Sequence, residues 1–311
     1  MLSHEPVLLE EVLAALAIRA DGHYLDATFG RGGHTGAILD RLGALGRVTA
    51  LDRDPAAIAA GRERFVNESR LTLIHRPFAE LASVVNELNV RFDGVLFDLG
   101  VSSPQLDDAA RGFSFMQAGP LDMRMDNSSG MTAAVWLNKA SERELQRVIS
   151  EFGEEKFARR IAAAIVAQRQ NQSLTTTAEL AQIVSNAVPM REPGKHPATR
   201  TFQAIRIAVN GELEQIDAAL MQVIDVLKPG GRLCVISFHS LEDQRVKQFM
   251  QAQSQDDPLF AGLPDIPAER RARFKRVGKA IHPEAADVAR NPRARSAILR
   301  VVEKVDLGVA A

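Results

Sequence analysis

Residues 25–34 read L-D-A-T-F-G-R-G-G-H, and Asp52 closes a second apolar run about twenty residues on. A glycine-rich turn leaving a strand lets a nucleotide-like ligand come close to the backbone. An acid ending the next strand then accepts the hydroxyls of a ribose. Ile38, Leu39 and Leu42 continue the chain as a helix between the two. The dinucleotide fingerprint requires G-x-G-x-x-G, whereas Gly30, Gly32 and Gly33 give G-x-G-G with Gly36 beyond. A diphosphate is therefore not expected. Asp26 beside the turn would repel phosphates and suits a cation or amine, such as the aminoacyl end of S-adenosylmethionine. Glycines alone would only permit tight strand–helix packing; Asp26 and Asp52 together favour an adenosyl ligand.

Outward from this stretch, strand and helix signals alternate. Short buried strands are expected at 24–27, 47–51, 71–75 and 94–99, with helices at 35–42, 55–65 and 78–88. Asp54-Pro55 is a helix start with proline at the first helical position. Such alternation predicts a parallel sheet with right-handed crossovers, whose ligands sit at the carboxyl ends of the strands, where Gly30, Asp52 and Asp98 fall. Residues 103–130 are rich in Gly, Pro, Ser, Asp and Met and read as a long functional loop. Helical patterns follow at 141–151, 154–168 and 177–187, with capping boxes at Ser141/Glu144 and Thr176/Glu179. Strands resume at 232–238 after the turn at Lys228-Pro-Gly-Gly231, and 274–280 with 297–302 form a candidate edge hairpin. The expected fold is α/β: a doubly wound sheet over 1–107 and 211–311, with an all-helical insertion over 108–210 for substrate recognition.

A chain of 311 residues holds one large domain or two ordinary ones, and 46% hydrophobic with 25% charged residues is ordinary for a globular protein. No apolar run approaches bilayer length and no basic-then-apolar signal pattern opens the sequence, so a cytoplasmic chain without a membrane partner is expected. The lone Cys234 excludes an internal disulfide and a cysteine-built zinc site. Net charge is −1, so a nucleic-acid surface must be local. Between Arg270 and Arg300 there are ten Lys or Arg against Glu284 and Asp287, and a second basic stretch holds Arg191, Lys195, His196, Arg200 and Arg206. One cluster alone reads as a solvated face; two beside an adenosyl site favour phosphate contacts.

Asp98-Leu-Gly-Val-Ser102-Ser103-Pro104-Gln105 follows the fourth strand. A strand-ending Asp before a Ser/Pro turn is a common cap, but methyl transfer from a sulfonium needs positioning and the handling of one proton, without a metal. An exocyclic base amine is a poor nucleophile until acceptors localise its lone pair. Asp98, Ser102, Ser103 and nearby carbonyls are of that type.

Longer motifs run through the chain: His4-Glu-Pro-Val-Leu-Leu9, Thr28-Phe-Gly-Arg-Gly-Gly-His34, Asp52-Arg-Asp-Pro55, and Asp98 through Asp107. Beyond them come Arg111-Gly-Phe-Ser-Phe115, Gly119 through Met125, His196 through Gln203, Ser237 through Asp243 and Asn291 through Ser296. Nearly end to end, the chain resembles bacterial S-adenosylmethionine-dependent methyltransferases. Those enzymes modify N4 of a cytidine in the decoding region of small-subunit (16S) ribosomal RNA. The resemblance implies a class I methyltransferase fold, with cofactor contacts at Gly32, Gly33, His34, Asp52, Phe78, Asp98 and Gln105. It implies reacting-group residues at Asp98, Ser102, Ser103 and Pro104. Aromatic-platform residues of the wider amino-methyltransferase class are missing after Pro104, and Phe113 or Phe115 is the candidate substitute. Arg200, His239, Arg293 and Arg295 are candidate RNA contacts. The implied partner is 16S rRNA in the small subunit or a late precursor; a homodimer is left open, as is the proton acceptor. Two other classes compete: an NAD-dependent oxidoreductase, disfavoured by the missing third glycine and by Asp26, and a non-catalytic adenosyl-sensing RNA-binding assembly factor, disfavoured by the intact Asp98 segment.

Overall fold

The computed structural model describes residues 6–190, 194, 196–260 and 265–308. The expectations at His4, Glu5, Arg191 and Lys195 lie outside the described residues. The chain divides into two compact units, Met1–Gly100 with Glu214–Ala311, and Val101–Leu213.

The first unit is built on a seven-stranded sheet in the order β3-β2-β1-β4-β5-β7-β6. Its first half runs α1 (Leu9–Leu16), β1 (His23–Asp26), α2 (Gly33–Arg41), β2 (Arg47–Asp52), α3 (Pro55–Arg64), β3 (Leu71–His75), α4 (Leu81–Leu88) and β4 (Phe92–Asp98). Strands β1 to β5 pair in parallel, and β7 runs antiparallel to both β5 and β6. Parallel strands are covered on both faces and so read as unbroken apolar runs; β4 is buried from Phe92 to Phe97 and opens only at Asp98. One face packs Tyr24, Val48, Leu96 and Ile236 against Val12 and Leu16 of α1 and Ile38 and Leu39 of α2. Phe29, Ala50 and Ala57 form a second cluster with Phe65, Leu71 and Leu73. Cys234 lies inside the sheet, where burial pushes its thiol up to about 12, so it is inert at neutral pH. Asp54 caps α3 as expected, accepting from Ala56 N at 2.9 Å ahead of Pro55.

The second unit carries α5 (Ser103–Asp107), α6 (Ala133–Lys139), α7 (Glu142–Glu151), α8 (Ala158–Asn171), α9 (Thr177–Ala187) and α10 (Thr199–Asn210); α11 (Glu212–Val226) begins at its end. Among the described residues its only β pairing is the isolated bridge Pro120–Thr176. Its own core gathers Leu121, Met123, Leu137, Leu145, Ile161, Ile165, Leu180, Val184 and Phe202. The unit starts at Val101 because Val101 and Leu106 already pack on that core, and it reaches Leu213 because Glu212 is bound by Arg206.

Completing the first unit are β5 (Leu227–Ser237), α12 (Ser240–Gln253), β6 (Phe274–Arg276), α13 (Ala285–Arg290) and β7 (Ile298–Lys304). The β6–β7 pairing is the expected hairpin, but β6 ends at Arg276 because Gly278 turns the chain at φ +70; pairing resumes at Ile281 opposite Leu299. Two other expectations shift. The residues of the 228–231 turn belong to β5, with a register break against β4 between Phe92 and Gly94. Helix α8 starts at Ala158 rather than 154, since Glu154 sits at φ 50 and the Glu155 carboxylate caps Phe157 N at 2.9 Å. Among the described residues no helix is long and apolar enough to cross a membrane.

Candidate cofactor site

The turn after β1 is shaped by its glycines. Gly32 caps α2 at φ +70, and a Cβ there would stand 2.6 Å from the Phe29 ring. A Cβ on Gly33 would meet the Pro6 ring, so Pro6 lies directly on this turn. The Gly32 amide is engaged by the Phe29 carbonyl at 2.7 Å, which corrects its expected role as a ligand donor. Gly33 and His34 open α2, where N–H groups lack intrahelical acceptors and the helix dipole favours negative charge.

Asp52 ends β2 with both carboxylate oxygens pinned: Oδ2 accepts from Gly30 N at 2.7 Å and Oδ1 from Asp54 N at 2.8 Å. Burial pushes its carboxyl up to about 6 against the pull of these two amides. Each oxygen keeps a second lone pair, so the group is held in place yet able to accept from a vicinal diol. Removing it strips charge-assisted hydrogen bonds worth about 1.5–3 kcal/mol. Asp52→Ala is therefore expected to weaken adenosyl-ligand binding roughly tenfold to a hundredfold in calorimetry. An unchanged dissociation constant would put the ribose elsewhere.

Asp26 departs from expectation. It is 1% exposed, and its carboxylate accepts from Thr35 Oγ1 at 2.7 Å and from Thr28 N at 3.1 Å. Burial raises its pKa, with the Thr35 hydroxyl acting the other way. Asp26 thus ties β1 to α2 from inside and offers nothing to a ligand amine.

A second carboxylate, Asp98, stands at the end of β4. Its backbone N–H donates to Thr28 Oγ1 at 2.7 Å, which fixes the strand end beside the glycine turn. Oδ2 faces His34 Nδ1 at 3.6 Å, while Oδ1 is enclosed without a hydrogen-bond partner. Burial pushes this carboxyl up to about 6; His34 pulls it down, and the charges of Asp26 and Glu242 push it further up. His34 Nε2 lies 3.1 Å from the Val7 carbonyl, an acceptor only, so Nε2 carries a hydrogen. His34 thus presents Nδ1 toward the carboxylate.

Glu242, in the first turn of α12, is 1% exposed and accepts from Phe238 N at 2.7 Å through Oε2. It was not singled out in the sequence; an acid three residues into a helix that follows a strand was the available signal. Thr28 and Thr35 were likewise passed over, because a hydroxyl in a turn or helix start carries no sign of its buried partner. Three carboxylates, Asp26, Asp98 and Glu242, thus converge electrostatically; Glu242 Oε1 faces His239 Nε2 at 3.2 Å, and Asp98 Oδ1 is enclosed without a hydrogen-bond partner. Phe78, just past β3, meets Phe97 of β4 edge-on at 5.6 Å and is half-buried, leaving ring surface for an aromatic ligand.

Other expected residues are engaged differently. In the helical unit, Gln105 is buried and its Oε1 accepts from Ser102 N at 2.9 Å, closing the start of α5 over Ser103 and Pro104. Phe113 is 6% exposed in the core of that unit, beneath the Arg111 guanidinium, which corrects its expected stacking on a base. Phe115 stacks on His196 at 4.4 Å and meets Phe202 edge-on at 5.0 Å. Arg200 donates to the Glu154 carbonyl. In the sheet unit, His239 is nearly buried, with Nε2 3.2 Å from Glu242 Oε1. His239 is therefore held inside the sheet unit, whereas Arg200 is half-exposed beside the Glu154 carbonyl. Arg293 and Arg295 stand exposed on the turn before β7.

A family model described as the MraW methylase family matches residues 1–305. Among curated relatives, a protein of Thiobacillus denitrificans named ribosomal RNA small subunit methyltransferase H is 56% identical over 306 residues, 97% of each chain. Proteins of the same name from Dechloromonas aromatica and Thioalkalivibrio sulfidiphilus are 54% and 55% identical, each across 97% of this chain and 98% of the other. With the match running through the glycine turn, both strand-end acids and the helical unit, the chain belongs to the MraW methylase family.

Proposed function

We propose that this chain transfers the methyl group of S-adenosylmethionine to N4 of a cytidine in the decoding region of 16S ribosomal RNA, within the small subunit or a late precursor. The name carried by the relatives supports the RNA substrate. The observation that carries the chemistry is the enclosed, unpartnered Oδ1 of Asp98 among three carboxylates, a setting that suits a cationic ligand. When bound, S-adenosylmethionine supplies an electrophilic methyl carbon on a sulfonium, which leaves the protein to orient groups and handle one proton.

Asp52 takes the ribose hydroxyls, the open amides of Gly33 and His34 take the carboxylate of the aminoacyl end, and Phe78 lies against the adenine. Asp98 Oδ1 holds the ammonium, and His34 steadies the ionised form of Asp98 through Oδ2. Gln105 joins this set on the resemblance alone, its Oε1 being held by Ser102. With Asp98 occupied in this way, the amine proton goes elsewhere. The Ser102, Ser103 and Pro104 segment supplies the hydroxyl and carbonyl acceptors that localise the N4 lone pair. The base must leave its stack, at a cost of a few kcal/mol. Binding by the helical unit and by Arg293 and Arg295 offsets that cost. We place the reaction in the cytoplasm, where small subunits are assembled.

Incubating the protein with methyl-labelled S-adenosylmethionine and purified small subunits, followed by nucleoside mass spectrometry of the 16S RNA, tests this reading. Label in N4-methylcytidine is the expected result. Label in another nucleoside would overturn the N4 assignment, and tight cofactor binding without transfer would favour the assembly-factor alternative.

A further inference from the structure

The basic segment before β7 is not uniformly available. Arg270 is paired with Asp257, Lys275 with Glu303, Arg290 with Asp287, and Arg300 with Asp243 through bonds of 2.7 and 2.9 Å. Against that background one feature stands apart. Between α12 and the 276–280 segment lies a cavity of about 80 Å³, lined by Lys247, Arg276, Lys279 and Arg300 and by no carboxylate. Lys247, Arg276 and Lys279 are exposed. The charge of Lys247 reaches Asp243, but Arg300 already chelates that carboxylate. Gly278 lines the cavity at φ +70, with nothing within 4 Å of where a Cβ would stand, so the backbone there is open to a ligand. The volume corresponds to about two or three waters, enough for one tetrahedral anion and too small for a folded acidic peptide.

We propose that this cavity seats a single backbone phosphate of the RNA substrate, held by Lys247 of α12 together with Arg276 and Lys279. The assignment rests on the RNA reading above. It differs from a general basic face in one respect: three cations share one phosphate. Both α12 and β6 belong to the sheet unit, so the phosphate would be gripped by the same body that carries the strand-end acids.

The full chain should be compared with K247A, R276A, K279A and the triple variant for binding to purified small subunits across a salt series. Calorimetry with S-adenosylmethionine serves as the control for folding. Each single change is expected to weaken subunit binding about tenfold while leaving the salt slope nearly unchanged, because two cations still neutralise the phosphate. Because one phosphate is shared, the triple variant should lose a slope of about one. Cofactor affinity should stay at the wild-type value. Loss of a slope of about three in the triple variant would mean scattered contacts and would overturn the pocket. So would a triple variant that binds like wild type, including the case where inorganic phosphate titrates into the cavity while subunit binding is indifferent to the substitutions. A wild-type chain that binds cofactor but no subunit would instead overturn the RNA reading itself, and the pocket with it.

Discussion

Asp98→Asn is expected to weaken S-adenosylmethionine binding by roughly 2–5 kcal/mol, about thirtyfold to several-thousandfold, the range for removing one partner of a desolvated charge pair. The amide has the shape of the carboxylate and keeps a polar group facing His34 Nδ1, so the fold should tolerate it. What it loses is the charge on the enclosed oxygen that no protein group satisfies. Methylthioadenosine lacks the aminoacyl end and should bind wild type and variant alike. Equal losses for both ligands would mean that Asp98 shapes the pocket rather than holding the ammonium.

The same residue sets a pH dependence. Asp98 and Asp52 both stand at about 6, so both are ionised above that value and protonated below it. A cationic ligand requires the ionised Asp98 and releases its proton on binding. Affinity for S-adenosylmethionine should therefore fall as pH drops through 6, with a slope approaching two once both groups are protonated; Asp98→Asn should remove one unit of that slope. The sign for stability is opposite. Asp26, Asp52 and Asp98 all have raised values, so their contribution to stability is fully present below about pH 4 and lost as pH rises through the folded values. Near neutrality the free chain carries mutually repelling carboxylates, and the stabilisation by S-adenosylmethionine in a thermal-shift titration should be larger at pH 7 than at pH 5.

The alternation of apolar runs with capped helices located the parallel strands at the centre of the sheet, because strands buried on both faces leave a strong local signal, while the β6–β7 edge was marked by paired β-like runs. Asp52 was legible for a related reason: its position at a strand end is a matter of counting. Asp26 was not, since nothing local distinguishes an acid facing a ligand from one facing Thr35 nine residues later. Phe113 failed similarly. A Gly/Pro/Ser-rich composition suggested an open loop, yet Phe113, Leu121, Met123 and Met125 bury themselves in the helical core. That segment is ordered by long-range bonds, Asn210 Oδ1 accepting from Met125 N and Asn210 Nδ2 donating to the Met123 carbonyl, both at 2.7 Å. They hold Met123 at φ 60, a conformation no sequence pattern announces for methionine. The Thr176/Glu179 capping box, by contrast, is entirely local, and it forms as read.

Arg206→Ala is expected to destabilise the helical unit by about 3–5 kcal/mol, the loss typical of stranding one partner of a buried ion pair. Arg206 on α10 reaches Glu212 with two parallel bonds, Nε to Oε1 at 2.8 Å and Nη2 to Oε2 at 2.7 Å, and the side chains are 14% and 6% exposed. Between them Gly211 ends α10 at φ 57, so the pair clamps the corner where one helix stops and the next begins. The neighbouring Asn210 also donates to the Arg206 carbonyl at 2.9 Å, which links the clamp to the Met123 turn. At a few degrees per kcal/mol for domains of this size, the loss corresponds to a fall of roughly 10 °C in the midpoint of thermal unfolding. Joint replacement by Met at 206 and Leu at 212 removes the stranded charge and should recover most of that loss, since apolar substitutes for a buried pair are often neutral or better. If Arg206→Ala melts within a degree of wild type, the pair is solvated in solution and the corner is held by packing alone. If the double variant melts no higher than the single one, the guanidinium acts through shape and hydrogen bonding to the turn rather than by balancing the charge of Glu212.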